Sequence, residues 1–344
     1  SILAGTGHDP PMCALIVTTD LDSPGRHFGD AMLRWSDTTS PLGYHPVPVT
    51  SLKGQPGQTL LIVGGTHGDE FEGPAALMRL VHDLDPDALA GQIIALPAFN
   101  ARAVEATTRT SPLDGANLNR AFPGDPLGGP TAMLAHFLET ELLPRCDAAV
   151  DLHSGGKASF FTPCALPTQT ADTGLAEANM ALARVFGLPT IWRLGAHNDA
   201  RSVNSAADRA GVPMIAAELG GGGGVDPGIT NAAERGLRNI LKHVGILPGS
   251  PEAPPQQRIV EIADPRDSLY APATGLYDRA LTAGQSVQAG DPAGRFHFLM
   301  EPERAPLQLV VPHDGYVLAH TQRGYVTRGD LLALIVRDVD ETQA

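Results

Sequence analysis

Along residues 59–244, short continuous apolar runs alternate with segments of helical spacing, and this alternation constrains the fold more than any other feature of the chain. Leu60–Val63 is an uninterrupted apolar run ending in Gly64-Gly65, the pattern of a strand buried on both faces. Phe71–Leu84 then carries apolar residues at helical spacing. Gln92–Pro97 is strand-like, Ala132–Leu143 is an amphipathic helix closed by Pro144, and Ala148–Leu152 is a second buried strand. Ala171–Phe186 reads as helix, Pro213–Ala217 as strand and Asn231–Val244 as helix. Strands and helices in this order predict an α/β layered fold around a largely parallel sheet.

The flanking segments differ. Residues 1–57 are rich in turn formers, with short apolar runs at Cys13–Val17 and Tyr44–Val49, and read either as edge strands or as a leading arm. Pro248–Gln257 (PGSPEAPPQQ) is a linker by composition. Beyond it the helical period disappears. Pro272–Gly275 and Val287–Asp291 are echoed about 40 residues later by Pro312–Gly315 and Val326–Asp330, which suggests two similar hairpin units in a small sandwiched β-barrel with pseudo-twofold symmetry. The pattern looks like the fold of biotinyl and lipoyl carrier domains, but residues 258–344 contain no lysine to modify. The expected organisation is therefore a catalytic domain over 1–247, a linker over 248–257 and a β domain over 258–344.

Composition narrows the partners. The net charge is −14, with only three lysines (Lys53, Lys157, Lys242) and no basic cluster, so nucleic acid is not an expected partner. No apolar stretch reaches the ~18–20 residues of a membrane span, and the N-terminus shows no signal pattern. Cys13, Cys146 and Cys164 are widely spaced, without a CxxC pair, and make neither a disulfide framework nor a thiolate zinc site. A cytoplasmic location follows as the expectation.

Four patterns carry chemistry. Gly64-Gly65-Thr66-His67-Gly68-Asp69-Glu70 follows the first buried strand, at the carboxyl end where ligands bind in open α/β sheets. His67 and Glu70, three apart in a tight turn, can face one point, and both suit Zn²⁺. Taken alone, the segment reads more readily as a Gly-rich strand–helix connection with a solvated His and a dipole-favoured Glu. Asp151-Leu152-His153-Ser154-Gly155-Gly156 ends a second buried strand. Asp151 and His153 share a face of it, and His153 can complete a His₂Glu set that leaves a fourth position for water. Glu218 ends the apolar run Val212–Ala217 before five glycines. A carboxylate there must be paired, hydrogen-bonded or shifted in pKa, and the last is how a general base near neutrality is made; taken alone, Glu218 reads more readily as bound by the amides of the Gly loop. Arg109 and Asn117-Leu118-Asn119-Arg120 supply guanidinium groups of the kind that grip carboxylates and developing oxyanions.

Taken in order, GGTHGDE, NARAVEATTR, LNRAFPG, DLHSGG and AELGGGG resemble the succinylglutamate desuccinylase/aspartoacylase family, which is related to zinc carboxypeptidases. The resemblance covers roughly residues 58–245. Within the family, TRTSPLDGANLNRAFPG and ELGGGG look most like its N-acetyl-diaminobutanoate deacetylase branch. It implies a zinc-carboxypeptidase-like mixed sheet flanked by helices, with one Zn²⁺ per chain bound by His67, Glu70 and His153. It implies further that Glu218 activates a metal-bound water and later protonates the leaving amine, that Arg109 polarises the scissile carbonyl, and that Asn119 and Arg120 hold a substrate carboxylate. The stretch between Arg109 and Asn119 is about three residues longer than in aspartoacylase. The implied activity is hydrolysis of a small N-acyl amino acid, N-acetyl-2,4-diaminobutanoate or similar, and a homo-oligomer is compatible with it.

Two other readings fit parts of the pattern. A carboxypeptidase acting on peptides needs an open groove, and a non-catalytic binding protein on this fold predicts the loss of a metal ligand or of Glu218. The remaining histidines lack a matched carboxylate at a strand end and are expected to be structural or solvated. His313, in a Pro-His-Asp-Gly turn, is the one to place relative to the metal.

Overall fold

The structure, a computed structural model, describes residues 15–195 and 198–339. Cys13, which opens the predicted run Cys13–Val17, lies outside them, as do His8 and His197.

Among the described residues, the first half of the chain is built on ten strands and six α-helices. In chain order these are β1 (Leu15–Val17), β2 (Gly25–Leu33), β3 (His45–Lys53), β4 (Gln55–Gly64), α1 (Glu72–Asp83), β5 (Ala90–Leu96), α2 (Ala101–Ala106) and α3 (Pro130–Phe137). They continue as β6 (Ala148–His153), β7 (Ser159–Phe161), β8 (Cys164–Pro167), α4 (Thr173–Phe186), β9 (Thr190–Trp192), α5 (Val203–Ala210), β10 (Met214–Glu218) and α6 (Pro227–His243). The sheet order is β1-β2-β3-β5-β4-β6-β10-β8-β9. At its centre β5, β4, β6 and β10 run parallel, while β3 joins β5 and β8 joins β10 antiparallel. The sheet is thus mixed, with a parallel centre, antiparallel junctions on either side, and parallel pairing again between β8 and β9.

Period-two alternation divides each central strand between two cores. Leu60 and Ile62 of β4, with Ile93 and Ala95 of β5, pack under α1, α4 and α6 against Leu77, Leu80, Phe186, Leu237 and Ile240. Leu61, Val63, Ile94 and Leu96 face the other way, toward Phe99, Phe122, Leu134, Phe137 and Val203. Strands buried on both faces have no polar alternation, which is why these segments read as continuous apolar runs. Each fully buried aliphatic side chain contributes about 1.5–3 kcal/mol of transfer free energy.

Two segments differ from the sequence expectation. Within 1–57, β3 is no arm and no edge: it lies between β2 and β5, and only β1 is at the rim. The predicted helix 132–143 is α-helical only to Phe137, then widens to a π turn over Leu138–Leu142 and ends in a short 3₁₀ turn at Leu143–Arg145. Thr140 Oγ1 donates to the His136 carbonyl at 2.8 Å, and Pro144 has no N–H to continue the ladder.

After the linker the large sheet continues. Arg258–Glu261 pairs in parallel with β9 and antiparallel with Leu331–Asp338, which in turn pairs with Gly315–Thr321. A separate four-stranded antiparallel sheet holds Leu307–Val310, Pro292–His297, Gly275–Arg279 and Tyr325–Val326. The sequence repeat is visible as an exchange between units: Gly275 is paired with Val326, and Gly315 with Val287. The two Gly-Asp turns match as well, Asp291 Oδ2 accepting from Gln288 N and Asp330 Oδ2 from Thr327 N, each at 2.8 Å.

Candidate metal centre and active site

Three adjacent parallel strands end together. β4 leads into the His67–Glu70 turn, its neighbour β6 ends at His153, and β10 on the far side of β6 ends at Glu218, directly opposite His153 in register. Residues far apart in sequence therefore meet because parallel strands align their carboxyl ends.

The His67–Glu70 turn is tight because it must pass α2. Gly68 N donates to the Thr108 carbonyl at 2.9 Å, and a Cβ on Gly68 would lie 2.0 Å from the Ala103 backbone. Asp69, in the same turn, accepts from Lys157 N at 2.8 Å. The Lys157 ammonium reaches the carbonyl and hydroxyl of Thr107, both at 2.7 Å, where α2 ends in a left-handed residue (φ 51°). Arg109 follows two residues later.

His67, Glu70 and His153 are all buried, and one potential ligand atom from each lies within 4.8 Å of the others. Glu70 Oε1 is 2.8 Å from His67 Nδ1, and Oε2 is 3.1 Å from His153 Nδ1. The opposite nitrogens also face oxygen acceptors. His153 Nε2 is 2.6 Å from Asp151 Oδ2, and Asp151 Oδ1 accepts from the Thr66 hydroxyl at 2.8 Å. His67 Nε2 is 3.1 Å from Asn117 Oδ1, an atom already fixed as acceptor by the Asn119 N–H at 2.9 Å.

Asp151 and Asn117 are placed to take the Nε2 protons, which turns each Nδ1 toward a Glu70 oxygen. The short Nδ1–carboxylate approaches are satisfied either by a proton on Nδ1 or by a divalent ion held between the three groups. Burial opposes the charged forms of both Glu70 and His153, yet the two imidazoles hold the Glu70 carboxyl below its ordinary range, and Asp151 and Glu70 raise His153 well above its own. Two imidazoles and a carboxylate fit a divalent ion.

Glu218 borders this cluster. Its Oε2 is buried without a hydrogen-bond partner. Burial pushes the carboxyl up to about 8; His153 and Arg109 oppose the shift, while Glu70 and Asp151 reinforce it. Arg109 is half-exposed, with Nη1 3.3 Å from Glu70 Oε1. The glycines after Glu218 form one wall: Gly155 N and Phe161 N both donate to the Gly220 carbonyl, at 3.0 and 2.8 Å. Gly221 has φ 149°, and a Cβ there would stand 2.0 Å from the Ser159 carbonyl oxygen. Phe160, in that wall, stacks on His320 of the C-terminal part, with ring centroids 5.7 Å apart.

Asn119 and Arg120 lie beside Asn117. Asn119 Oδ1 accepts from Val203 N at 2.9 Å, which leaves its amide N–H groups for other partners. Arg120 Nε is 3.1 Å from Asp199, a residue the sequence reading did not single out. Asn117 and Thr66 were also missed, although both sit inside the quoted motifs; only coordinates reveal what their side chains touch. His313 is not in the metal cluster: its ring nitrogens face the carbonyls of Asp314 and Asp267, at 2.7 and 3.0 Å.

The Succinylglutamate desuccinylase/Aspartoacylase catalytic domain pattern matches residues 56–244. An N-alpha-acetyl-L-2,4-diaminobutyric acid deacetylase from Halomonas elongata is 33% identical over 324 residues, covering 94% of this chain and 95% of its own. A succinylglutamate desuccinylase/aspartoacylase structure from Rhodobacter sphaeroides is similar at 36% identity and a TM-score of 0.89, covering 95% of this chain and all of that one. The product-bound ectoine utilization protein of Ruegeria pomeroyi is similar at 33% identity and a TM-score of 0.91, covering 95% and 99%.

Proposed function

The chain belongs to the succinylglutamate desuccinylase/aspartoacylase family, and we propose that it is a zinc-dependent deacylase of a small N-acyl amino acid, with N-acetyl-2,4-diaminobutyrate as the first candidate. The observation that carries this reading is the convergence of the His67 and His153 Nδ1 atoms on the two Glu70 oxygens, with Glu218 at the next strand end. The substrate class is supported by what the Halomonas elongata relative is called.

In this reading His67, Glu70 and His153 hold one Zn²⁺, which when bound lowers the pKa of a water from 15.7 to about 7. Asn117 and Asp151 keep the two imidazoles in the ligating tautomer. Glu218 accepts the proton of the attacking water and passes it to the departing amine. Its neighbouring carboxylates and buried oxygen favour the protonated form it must adopt midway. Arg109 leaves Glu70 for the carbonyl oxygen and stabilises the charge that develops there. Asn119 and Arg120 bind the carboxylate of the amino-acid moiety.

The division into a catalytic unit (1–247), a linker (248–257) and a β unit (258–344) closing as a barrel belongs to the same proposal, supported by the paired hairpin exchange described above. The peptidase alternative is disfavoured by the wall that Phe160 and His320 build beside the glycine loop.

The test is metal analysis of purified protein together with a panel of N-acetyl, N-succinyl and N-aspartyl amino acids and blocked dipeptides. One zinc per chain with turnover confined to N-acyl amino acids is expected. A metal-free protein that binds no divalent ion at His67, Glu70 and His153, or one that prefers dipeptides, sinks the reading.

A further inference from the structure

Asp199 sits between two arginines. Arg201 grips it in two-point fashion, Nε to Oδ1 at 3.0 Å and Nη2 to Oδ2 at 2.9 Å, and Arg120 Nε approaches Oδ2 at 3.1 Å. Arg120 Nη1 is meanwhile held by the Asn119 carbonyl at 2.6 Å. The two segments are tied together by backbone as well: Phe122 N donates to the Arg201 carbonyl at 3.2 Å, and Val203 N to Asn119 Oδ1 at 2.9 Å. Asn117, three residues before Arg120, touches His67. The Arg-Asp-Arg group is therefore coupled to the metal cluster through one short turn.

An isolated, partly exposed ion pair adds little to stability. Its field on a charged ligand is another matter, because Asp199 removes one of the two positive charges that converge here. The Arg201 guanidinium holds the Asp199 carboxyl down at about 2, so that charge persists at neutral pH.

We infer that Asp199 is a specificity-determining residue: by neutralising one of two convergent guanidinium groups, it matches the site to an acyl amino acid with a single carboxylate and a neutral or cationic side chain, and against one with two carboxylates. The inference rests on the assignment of Arg120 to the substrate carboxylate. Two arginines and one aspartate leave a net charge of +1. A mono-carboxylate balances it, whereas a dicarboxylate brings a second negative charge toward Asp199. A cationic side chain, such as the free amine of N-acetyl-2,4-diaminobutyrate, is attracted by the same carboxylate. Discrimination of this kind needs a repulsive element as well as an attractive one.

The experiment compares the wild type with Asp199→Asn. Calorimetric binding and kcat/KM are measured for N-acetyl-2,4-diaminobutyrate, its carboxamide, and N-acetyl-glutamate, on metal-loaded full-length protein at low and high salt. The expected result is that the preference for diaminobutyrate over glutamate derivatives falls about tenfold in Asp199→Asn, and falls less at high salt, since partly exposed charges are screened. The readout is a ratio, so a substitution that merely loosens the fold lowers both terms and leaves it unchanged. An unchanged ratio overturns the role of Asp199 while leaving the deacylase reading intact. A wild type that treats acid and carboxamide alike overturns the Arg120 assignment. A chain that binds none of the three overturns both.

Discussion

In the proposed centre Asn117 and Asp151 decide which nitrogen each histidine offers to the metal, from the far side of each ring. Replacing Asn117 by Ala leaves His67 Nε2 without its acceptor. Zinc affinity is expected to fall roughly 10–100-fold, as for other such partners of ligating histidines, while kcat per bound metal changes little; competition with a chromophoric chelator reads the first and metal-saturated assays the second. Arg109→Ala should do the reverse. Its side chain is half-exposed and only 3.3 Å from Glu70, so metal content should hold while kcat drops about 10²–10³-fold. Equal loss of both in Arg109→Ala would remove it from the transition state and make it a support for Glu70. The proposed ligands and Glu218 were legible in the sequence because each lies in a motif at the end of an apolar run, whereas Arg109 entered through the family resemblance. Asp199 was not legible, since a carboxylate 79 positions from Arg120 carries no local sign of its partner.

The central strands and helices were readable for a related reason: burial on both faces makes a strand continuously apolar, and helices packed on one side keep their period. Ile62 of β4 is fully buried between α1 and the rest of its core. Ile62→Ala should cost about 2–5 kcal/mol in denaturant unfolding, a loss that sets β4, and hence the His67–Glu70 turn, at risk before any ligand is touched. Shorter elements were less legible, because edge strands and short hairpins are fixed by partners remote in sequence. The short helical turn Pro265–Asp267 is one of these. Arg337 donates to both Asp267 oxygens, at 2.9 and 3.1 Å, and holds that carboxyl below its usual value. Since the folded-state pKa is the lower one, the resulting stability is fully present above the unfolded value of about 3.9 and drains away as pH falls through the folded value. Asp267→Asn should therefore lower stability at pH 7 and make no difference once the wild-type carboxyl is protonated. A penalty independent of pH in parallel melts would mean that Arg337 does not supply it.

The C-terminal part is stitched to the first half by strand pairing at two places. Arg258–Glu261 extends the sheet beyond β9, and Gly315–Thr321 pairs with β7, whose Phe160 is bridged in turn to Gly221 in the glycine wall beside Glu218. A third core cluster spans both halves, with Cys164, Leu166 and Ala216 from one and Val260, Leu318 and Val336 from the other. A chain ending at residue 247 would expose that cluster and the free edge of β9, and open edges of this kind invite aggregation. It is expected to be insoluble or to associate, as sedimentation would show; a soluble monomer that keeps the full-length metal affinity would make the second half dispensable for the centre. Among the described residues no helix is long and apolar enough to cross a membrane.

The sequence by itself determined the layered α/β core, the repeat in the β-rich part and the residues that gather in the His67–Glu70–His153 cluster, because hydrophobic period and strand-end motifs are local properties of the chain. The tertiary structure alone decided the interior place of β3, the sheet that runs on past β9, the contacts of the His67 and His153 rings with Asn117 and Asp151, and the ion pair of Asp199 with Arg120. Each of these depends on strand pairing or on side-chain contacts between distant segments, and such pairings leave no periodic trace in either segment.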